Sequence, residues 1–381
     1  MCQFSSKYLG RLFPTLFIST QVDAPEWQEH QHLREKVKNM IMEAQHYTTS
    51  QKLDLINKIQ RLGVCYQFQK EIEATLQHIF ENYDEFNGEE DENNLYVVSL
   101  GFRLLRQEGY PVSCNVFEKF KNSEGKFKEL LINNVQAILS LYEASHLRVH
   151  GEKILEEALT FTTSHLQSML PNLSSLLRTE VSEALRQPFH RRLRRLEAKR
   201  YISIYKCDET HDTVLLKFAK LYFNMLQKEH QRELGILTRW WKGLDVAKNF
   251  PFARDRLVEG YFWTLGIYFE PQYSLARKFF LKVMAMVPII DDIYDVYGTP
   301  NELQLFTDAI QRWDAIAVNE LLEYMRVCYV ALLDVYAEME KELAKTGELY
   351  RIDYVKTEMK NLANAYLKED KWFTFQNLRS T

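Results

Sequence analysis

The stretch Phe279-Phe280-Leu281-Lys282-Val283-Met284-Ala285-Met286-Val287-Pro288-Ile289-Ile290-Asp291-Asp292-Ile293-Tyr294-Asp295 decides how the chain is read. A long apolar run ends in three carboxylates. On a helix, Asp291 and Asp295 lie one turn apart on the same face, with Asp292 beside them. Like charges at that spacing repel by roughly a few tenths of a kcal/mol. Near a helix C-terminus they also meet the negative end of the macrodipole. Stability does not account for them, whereas a hard divalent cation does. Mg²⁺ takes one or two carboxylates and fills its other positions with water and phosphate oxygens. A solvated acidic helix end is the plain alternative.

Outward from this stretch, the composition sets bounds. The 381 residues suffice for two domains with real cores. With 46% hydrophobic and 13% aromatic residues, extended disorder is excluded over most of the length. The 13 glycines and 9 prolines leave few strand-turn signals, so the chain reads as all-α. A net charge of −4 and a pI near 6.2 give no reason to expect nucleic acid or an anionic membrane as partner. No stretch reaches the roughly 18 uninterrupted apolar residues that span a bilayer. The five cysteines (Cys2, Cys65, Cys114, Cys207, Cys328) are scattered and odd in number, which fits a reducing compartment without a disulfide framework. Residues 1–22 carry Lys7 and Arg11, several Ser and Thr, no acidic residue and the apolar piece Leu12 to Ile18, loosely in the manner of an organellar transit peptide or a short secretory signal, with a segment that carries no targeting role as the alternative.

From Leu33 onward the sequence reads as helix after helix. Leu53, Ile56, Ile59 and Leu62 keep helical spacing and Gly63 closes the helix. Asp84 to Asn94 reads as an exposed loop. Helices are expected over Phe102 to Gly109, Phe127 to Tyr142, Glu152 to Met169 (ended by Pro171) and Val214 to Leu226. The basic run His190 to Arg200 reads as a solvated linker or helix face and as a domain boundary, with a nucleic-acid patch as the weaker alternative. His211-Asp212 lacks the second His/Asp set that a helical metal phosphohydrolase would need.

Arg254-Asp255-Arg256 follows Asn249-Phe250-Pro251-Phe252-Ala253, a stretch with loop character. Two arginines on a loop can turn toward one anion, and guanidinium forks suit phosphate. An ordinary helix start is the alternative. Leu257 to Phe269 then brings Tyr261, Phe262, Trp263, Tyr268 and Phe269. Most of these read as core, although a π face in a dry cavity also stabilises a cation, by about 2 kcal/mol. Together these elements describe one reaction. A metal and arginines withdraw a diphosphate, and an aromatic-walled pocket keeps the resulting carbocation from water.

The stretches Arg254 to Trp263, Phe269-Glu270-Pro271-Gln272-Tyr273, Asp291 to Asp295 and Tyr297-Gly298-Thr299 resemble the plant class I terpene synthases. Arg239-Trp240-Trp241-Lys242, Asp308 to Asp314, Arg103-Leu104-Leu105-Arg106-Gln107, Lys119-Phe120-Lys121 and Leu141 to His146 fit the same family. The likeness runs from about Leu33 to Phe373 and is strongest to the sesquiterpene synthases, which are cytosolic. It implies two all-helical domains. Residues 33–205 would form an N-terminal helical barrel and residues 206–381 the first part of a metal-binding bundle, with residues 1–32 unassigned. It further implies that Asp291 and Asp295, supported by Asp292, bridge Mg²⁺ (or Mn²⁺) to the diphosphate. Arg254 and Arg256 would hold the departing diphosphate, and Trp263 would form pocket wall. The expected substrate is farnesyl diphosphate and the expected state is a cytoplasmic monomer, or a plastid one if residues 1–22 act as a transit peptide.

Four departures from the family pattern stand out. Pro288 interrupts a helix just before the aspartates, at a cost of about 3 kcal/mol for an interior proline, and is expected to tilt them. Tyr222 stands where the family commonly has an aspartate. The R-R-x8-W element is absent, and Pro25 and Trp27 do not recreate it. The family's second acidic motif would fall beyond Thr381. An incomplete chain of this descent is therefore expected to turn over substrate poorly. A catalytically inactive helical remnant and a helical interaction protein are the alternatives.

Overall fold

The computed structural model describes residues 24–44, 47–82 and 94–379, and among them the secondary structure is helical. The expected loop at Asp84 to Asn94, except for Asn94 itself, and the expected targeting segment at residues 1–22 lie outside the described residues. Two compact units are present, one built on Gln21–Met225 and the other on Leu226–Thr381. The division falls within helix Thr213–Gly243, whereas the sequence-based limit at 205/206 lies at the end of the preceding helix, Arg194–Cys207.

In the first unit, helix Thr49–Arg61 begins with a capping box in which Thr48 and Gln51 satisfy each other's backbone N–H. It buries Leu53, Ile56 and Ile59, the apolar stripe expected of an amphipathic helix. Gly63 ends it at φ +74°, and a Cβ there would stand 2.7 Å from the Ala198 Cβ, so both backbone and space require glycine. Helix Leu95–Gln107 starts earlier than its apolar pattern suggested and is buried almost all round from Val98 to Leu105. Such a helix is the centre of its unit. Its two arginines are internal ties. Arg103 donates to Asn57 (2.6 Å) and Gln107 (2.8 Å), and Arg106 donates to Glu152 and to the Val112 carbonyl.

The helix expected over Phe127 to Tyr142 is instead two pieces, a 3₁₀ turn Glu129–Asn133 and helix Val135–Ser145. Asn134 divides them, because its side chain accepts the Ala137 N–H at 3.1 Å and caps the second piece. The basic run is only in part a solvated face. Arg192 and Arg200 converge with Arg61 on the buried Glu197. Arg195 lies 3.7 Å over the Phe223 ring. These three arginines of the run satisfy groups of their own unit, while Arg191, Arg194 and Lys199 stay exposed, which leaves about half of the run's charge for a nucleic-acid patch. His211 and Asp212 are local as well, since Asp212 accepts the Leu215 N–H at 2.7 Å at the start of the next helix. Tyr222 is buried, hydrogen-bonded to Tyr66 and stacked on His30 at 4.8 Å.

In the second unit, helices Leu257–Ile267, Ser274–Asp292, Pro300–Arg312, Glu323–Lys345 and Arg351–Arg379 share one apolar core. Gly260 lets the first two approach closely, for a Cβ at this position would meet Leu281 Cδ1 at 2.9 Å. The Phe269 to Tyr273 segment is held by buried polar groups. Arg277 donates to the Glu270 carbonyl (2.6 Å) and the Tyr268 carbonyl (3.1 Å), and His230 meets the Phe269 carbonyl at 2.9 Å. Tyr297-Gly298-Thr299 is explained by packing and capping. A Cβ on Gly298 would overlap Leu303, and Thr299 with Glu302 forms the capping box of the next helix.

Candidate active site

Helix Ser274–Asp292 carries the apolar run and continues across Pro288 to deliver Asp291 and Asp292 in its last turn. The chain then widens into a π-helical turn, Ile293–Tyr297, closed by Gly298 N–H on the Ile293 carbonyl at 2.9 Å. Asp295 therefore sits on a π turn, not on a continuing α-helix, and this is where the backbone departs from the regular spacing expected of the acidic motif. Short π segments inside helices are frequent at functional sites.

A cavity of about 590 Å³ lies against this helix. Asp291, Asp292, Arg254, Arg256 and Trp263 all line it, so five of the six site residues expected from sequence meet around one space. Asp295 is exposed and is not among the lining residues. Arg254 and Arg256 are exposed at the start of helix Leu257–Ile267, and Asp255 between them accepts the Leu257 N–H at 3.2 Å. The loop bearing them is tied to the π turn by Phe252 on Tyr297, ring centroids 4.1 Å apart. Trp263 is 47% exposed and faces the cavity, whereas Tyr261 and Phe269 are core, as the aromatic density suggested. Trp241, Phe252, Leu257, Leu281 and Met284 extend the apolar wall.

Electrostatically the acidic end is under-compensated. Burial raises the Asp292 carboxyl above its usual range, Asp291 adds to this, and Arg254 opposes it. Asp295 is raised by burial and then by Asp291, Glu369, Asp292 and Asp370. Glu369 and Asp370 come from helix Arg351–Arg379, and sequence reading missed both. Tyr366, one turn before Glu369, has its hydroxyl near Asp291, raised by burial and then by the Asp291 charge, and packs on Tyr294 at 5.6 Å. The Tyr366/Glu369 spacing of one helical turn was the available signal.

Among the described residues no three His, Cys, Asp or Glu side chains converge into a ready-made metal cage. The donor set still fits a hard cation of the Mg²⁺ type. That ion is typically bound through one or two carboxylates, with water and substrate phosphate completing the shell. Carboxylates raised by their neighbours are the ones such a charge would relieve.

Comparison with known proteins gives the family. The profile described as "Terpene synthase, N-terminal domain" matches residues 5–185, and "Terpene synthase family, metal binding domain" matches residues 242–380. The chain is 54% identical to a (-)-germacrene D synthase of Vitis vinifera over 94% of its own length and 64% of that protein's. It is 53% identical to an (E,E)-germacrene B synthase of Solanum habrochaites, over 96% of this chain and 68% of that one. The structure of isoprene synthase from grey poplar leaves (Populus x canescens), in complex with three Mg²⁺ ions and dimethylallyl-S-thiolodiphosphate, superposes with a TM-score of 0.85 at 40% identity. That superposition covers 93% of this chain and 67% of the other. The chain belongs to the terpene synthase family. It spans about 64% of the length of the Vitis relative. No helix among the described residues is long and apolar enough to cross a membrane.

Proposed function

We propose that this cavity ionises a prenyl diphosphate with the help of Mg²⁺ and cyclises the resulting carbocation, farnesyl diphosphate being the substrate and a cyclic sesquiterpene the product. One observation carries this reading: two arginines, two aspartates and a half-exposed tryptophan from three separate stretches line one cavity whose wall is part charged and part apolar. The sesquiterpene level of the reading is supported by the germacrene synthases to which the chain is similar.

Arg254 and Arg256 would receive the diphosphate oxygens through charge-assisted hydrogen bonds. Asp291 and Asp292 at the cavity, with Asp295 and Glu369 beside them, would hold the metal. When bound, Mg²⁺ would neutralise the negative charge that builds on the departing diphosphate. The allylic C–O bond breaks with its electron pair leaving on the diphosphate. Trp263 presents a π face to the allyl cation, and Leu257, Leu281 and Met284 exclude the water that would quench it. Ring closure then forms a C–C bond from an alkene π pair, and loss of a proton ends the sequence.

Calorimetric titration with inorganic diphosphate in Mg²⁺ tests the binding half of this reading. The wild-type chain should bind diphosphate only when Mg²⁺ is present, and Asp291→Asn should weaken that binding at least about ten-fold, because a neutral amide holds the bridging cation less tightly. Metal-independent or unaltered binding would remove the aspartates from the site.

A further inference from the structure

Pro288 has a consequence on the cavity side of its helix. In an α-helix each N–H serves the carbonyl four residues back, and proline has no N–H. Helix Ser274–Asp292 runs through Pro288 without ending, so the Met284 carbonyl lacks its regular donor. That carbonyl lies on the strip of helix surface between residues 284 and 288. Both residues line the cavity, with Leu281 and Ala285 on the same face. A carbonyl without its partner in such a place is costly unless something in the cavity satisfies it.

The charged residues that line this space are Arg254, Arg256, Asp291 and Asp292, and Trp241 and Trp263 add indole N–H groups. Met284 stands seven residues before Asp291, about 10 Å along the helix axis. The freed oxygen is therefore level with the hydrocarbon part of a bound isoprenoid and away from its diphosphate. The neighbouring lining side chains Leu281, Ala285 and Val287 offer no donor. An oriented carbonyl dipole in an apolar wall favours positive charge.

We propose that Pro288 is a specificity-determining residue: it converts the Met284 carbonyl into a fixed dipole that holds cationic charge on the isoprenoid chain at mid-cavity. The role rests on the prenyl diphosphate reading above, but its test does not need turnover. Pro288→Ala restores the missing N–H and relieves an interior proline, so the variant should melt no lower than the wild type. The probes are a prenyl tertiary amine with its nitrogen at mid-chain, protonated at neutral pH, and its uncharged carbon isostere. Wild-type protein should bind the ammonium form more tightly than the isostere. Pro288→Ala should lose about ten-fold in affinity for the ammonium form and leave the isostere unchanged.

Met284-Ala285 is the only Met-Ala pair in the sequence. Carbonyl-¹³C methionine with ¹⁵N alanine therefore isolates this one peptide by NMR, and its carbonyl resonance should move with the ammonium probe and not with the isostere. Equal losses for both probes, no loss for either, or a carbonyl that ignores the charge would overturn the proposal. A carbonyl already occupied by a resident water gives the last of these results. Failure of inorganic diphosphate to bind the wild type with Mg²⁺ would sink the metal reading separately, while the amine measurements still decide the carbonyl.

Discussion

Arg277 places Nε at 2.8 Å from Glu233 Oε2 and Nη2 at 2.6 Å from Glu233 Oε1, a bidentate pair whose arginine is fully buried. Tyr261 and Ser274 complete the carboxylate at 2.7 and 2.6 Å. The pair anchors the start of helix Ser274–Asp292, the helix that carries the acidic end of the cavity. Removing one partner should cost far more than the pair itself is worth, because the other charge stays buried. Arg277→Met is expected to lose about 3–5 kcal/mol of stability. Arg277→Met combined with Glu233→Gln should recover part of the loss. Burial by itself would raise the Glu233 carboxyl, but Arg277 outweighs it and leaves it below the usual range. The stabilisation is then complete above the unfolded carboxylate value and fades as pH falls through the folded one. Urea melts at neutral pH and near pH 4 measure both effects.

The acidic end should respond in graded fashion. Asp291 and Asp292 line the cavity, while Glu369 acts on it through Asp295. Glu369→Gln should weaken Mg²⁺-dependent diphosphate binding less than Asp291→Asn does. Tyr366→Phe, which removes the hydroxyl near Asp291 and keeps the ring on Tyr294, should have the smallest effect of the three. A ranking in which Tyr366→Phe is the most damaging would mean that orientation of Asp291 outweighs charge.

The all-helical fold was legible because its signals are local. Apolar stripes such as Leu53, Ile56 and Ile59, and caps such as Thr48 and Thr299, act within a few residues. The site was legible for a different reason: Arg254, Arg256, Trp263 and the aspartates are chemistry-bearing residues whose types already specify an anion, a cation and a wall. What sequence could not give were partners brought by distant helices. Glu369 and Tyr366 stand more than seventy residues from Asp291 in the chain and reach it only through packing of helix Arg351–Arg379. The π turn at Asp295 was hidden too, since no residue pattern in Ile293 to Tyr297 distinguishes i→i+5 from i→i+4 closure. The basic run is only in part the solvated face expected of it: Arg191, Arg194 and Lys199 are exposed, whereas Arg192 and Arg200 turn to Glu197, which draws its other partner, Arg61, from a remote helix.

Trp263 and Trp313 separate wall from core. Trp263 lines the cavity at 47% exposure, whereas Trp313 is half-buried, packs edge-on against Tyr336 at 4.8 Å and lies against the second unit's core. Trp263→Ala should leave the melting temperature nearly unchanged and weaken the mid-chain ammonium probe several-fold, through loss of a cation–π face. Trp313→Ala should instead cost about 2 kcal/mol in a urea melt and leave probe affinity intact in the folded fraction. Equal thermal losses for the two variants would reassign Trp263 to packing.

Acid should begin to loosen the first unit as pH falls below the ordinary histidine range. Burial lowers His30, His146 and His190 each to about 4 from the ordinary histidine value of 6.5, with nearby arginines adding to the effect. His146 and His190 lie with ring centroids 5.9 Å apart, and neither ring nitrogen of His146 has a hydrogen-bond partner among the described residues. Between pH 6.5 and 4 the unfolded chain binds protons that the folded chain refuses, so stability must fall as pH falls through that window. Below about 4 both states are protonated and these histidines contribute no further slope. His146→Phe removes one titrating ring and two unpaired polar atoms while keeping the edge contact with Tyr142. That variant should be no more than about 1 kcal/mol less stable than wild type at pH 7.5, because no hydrogen bond is lost. It should show a shallower decline between pH 6.5 and 4 when urea midpoints are compared. A decline as steep as wild type's would show that His146 titrates normally in the folded chain.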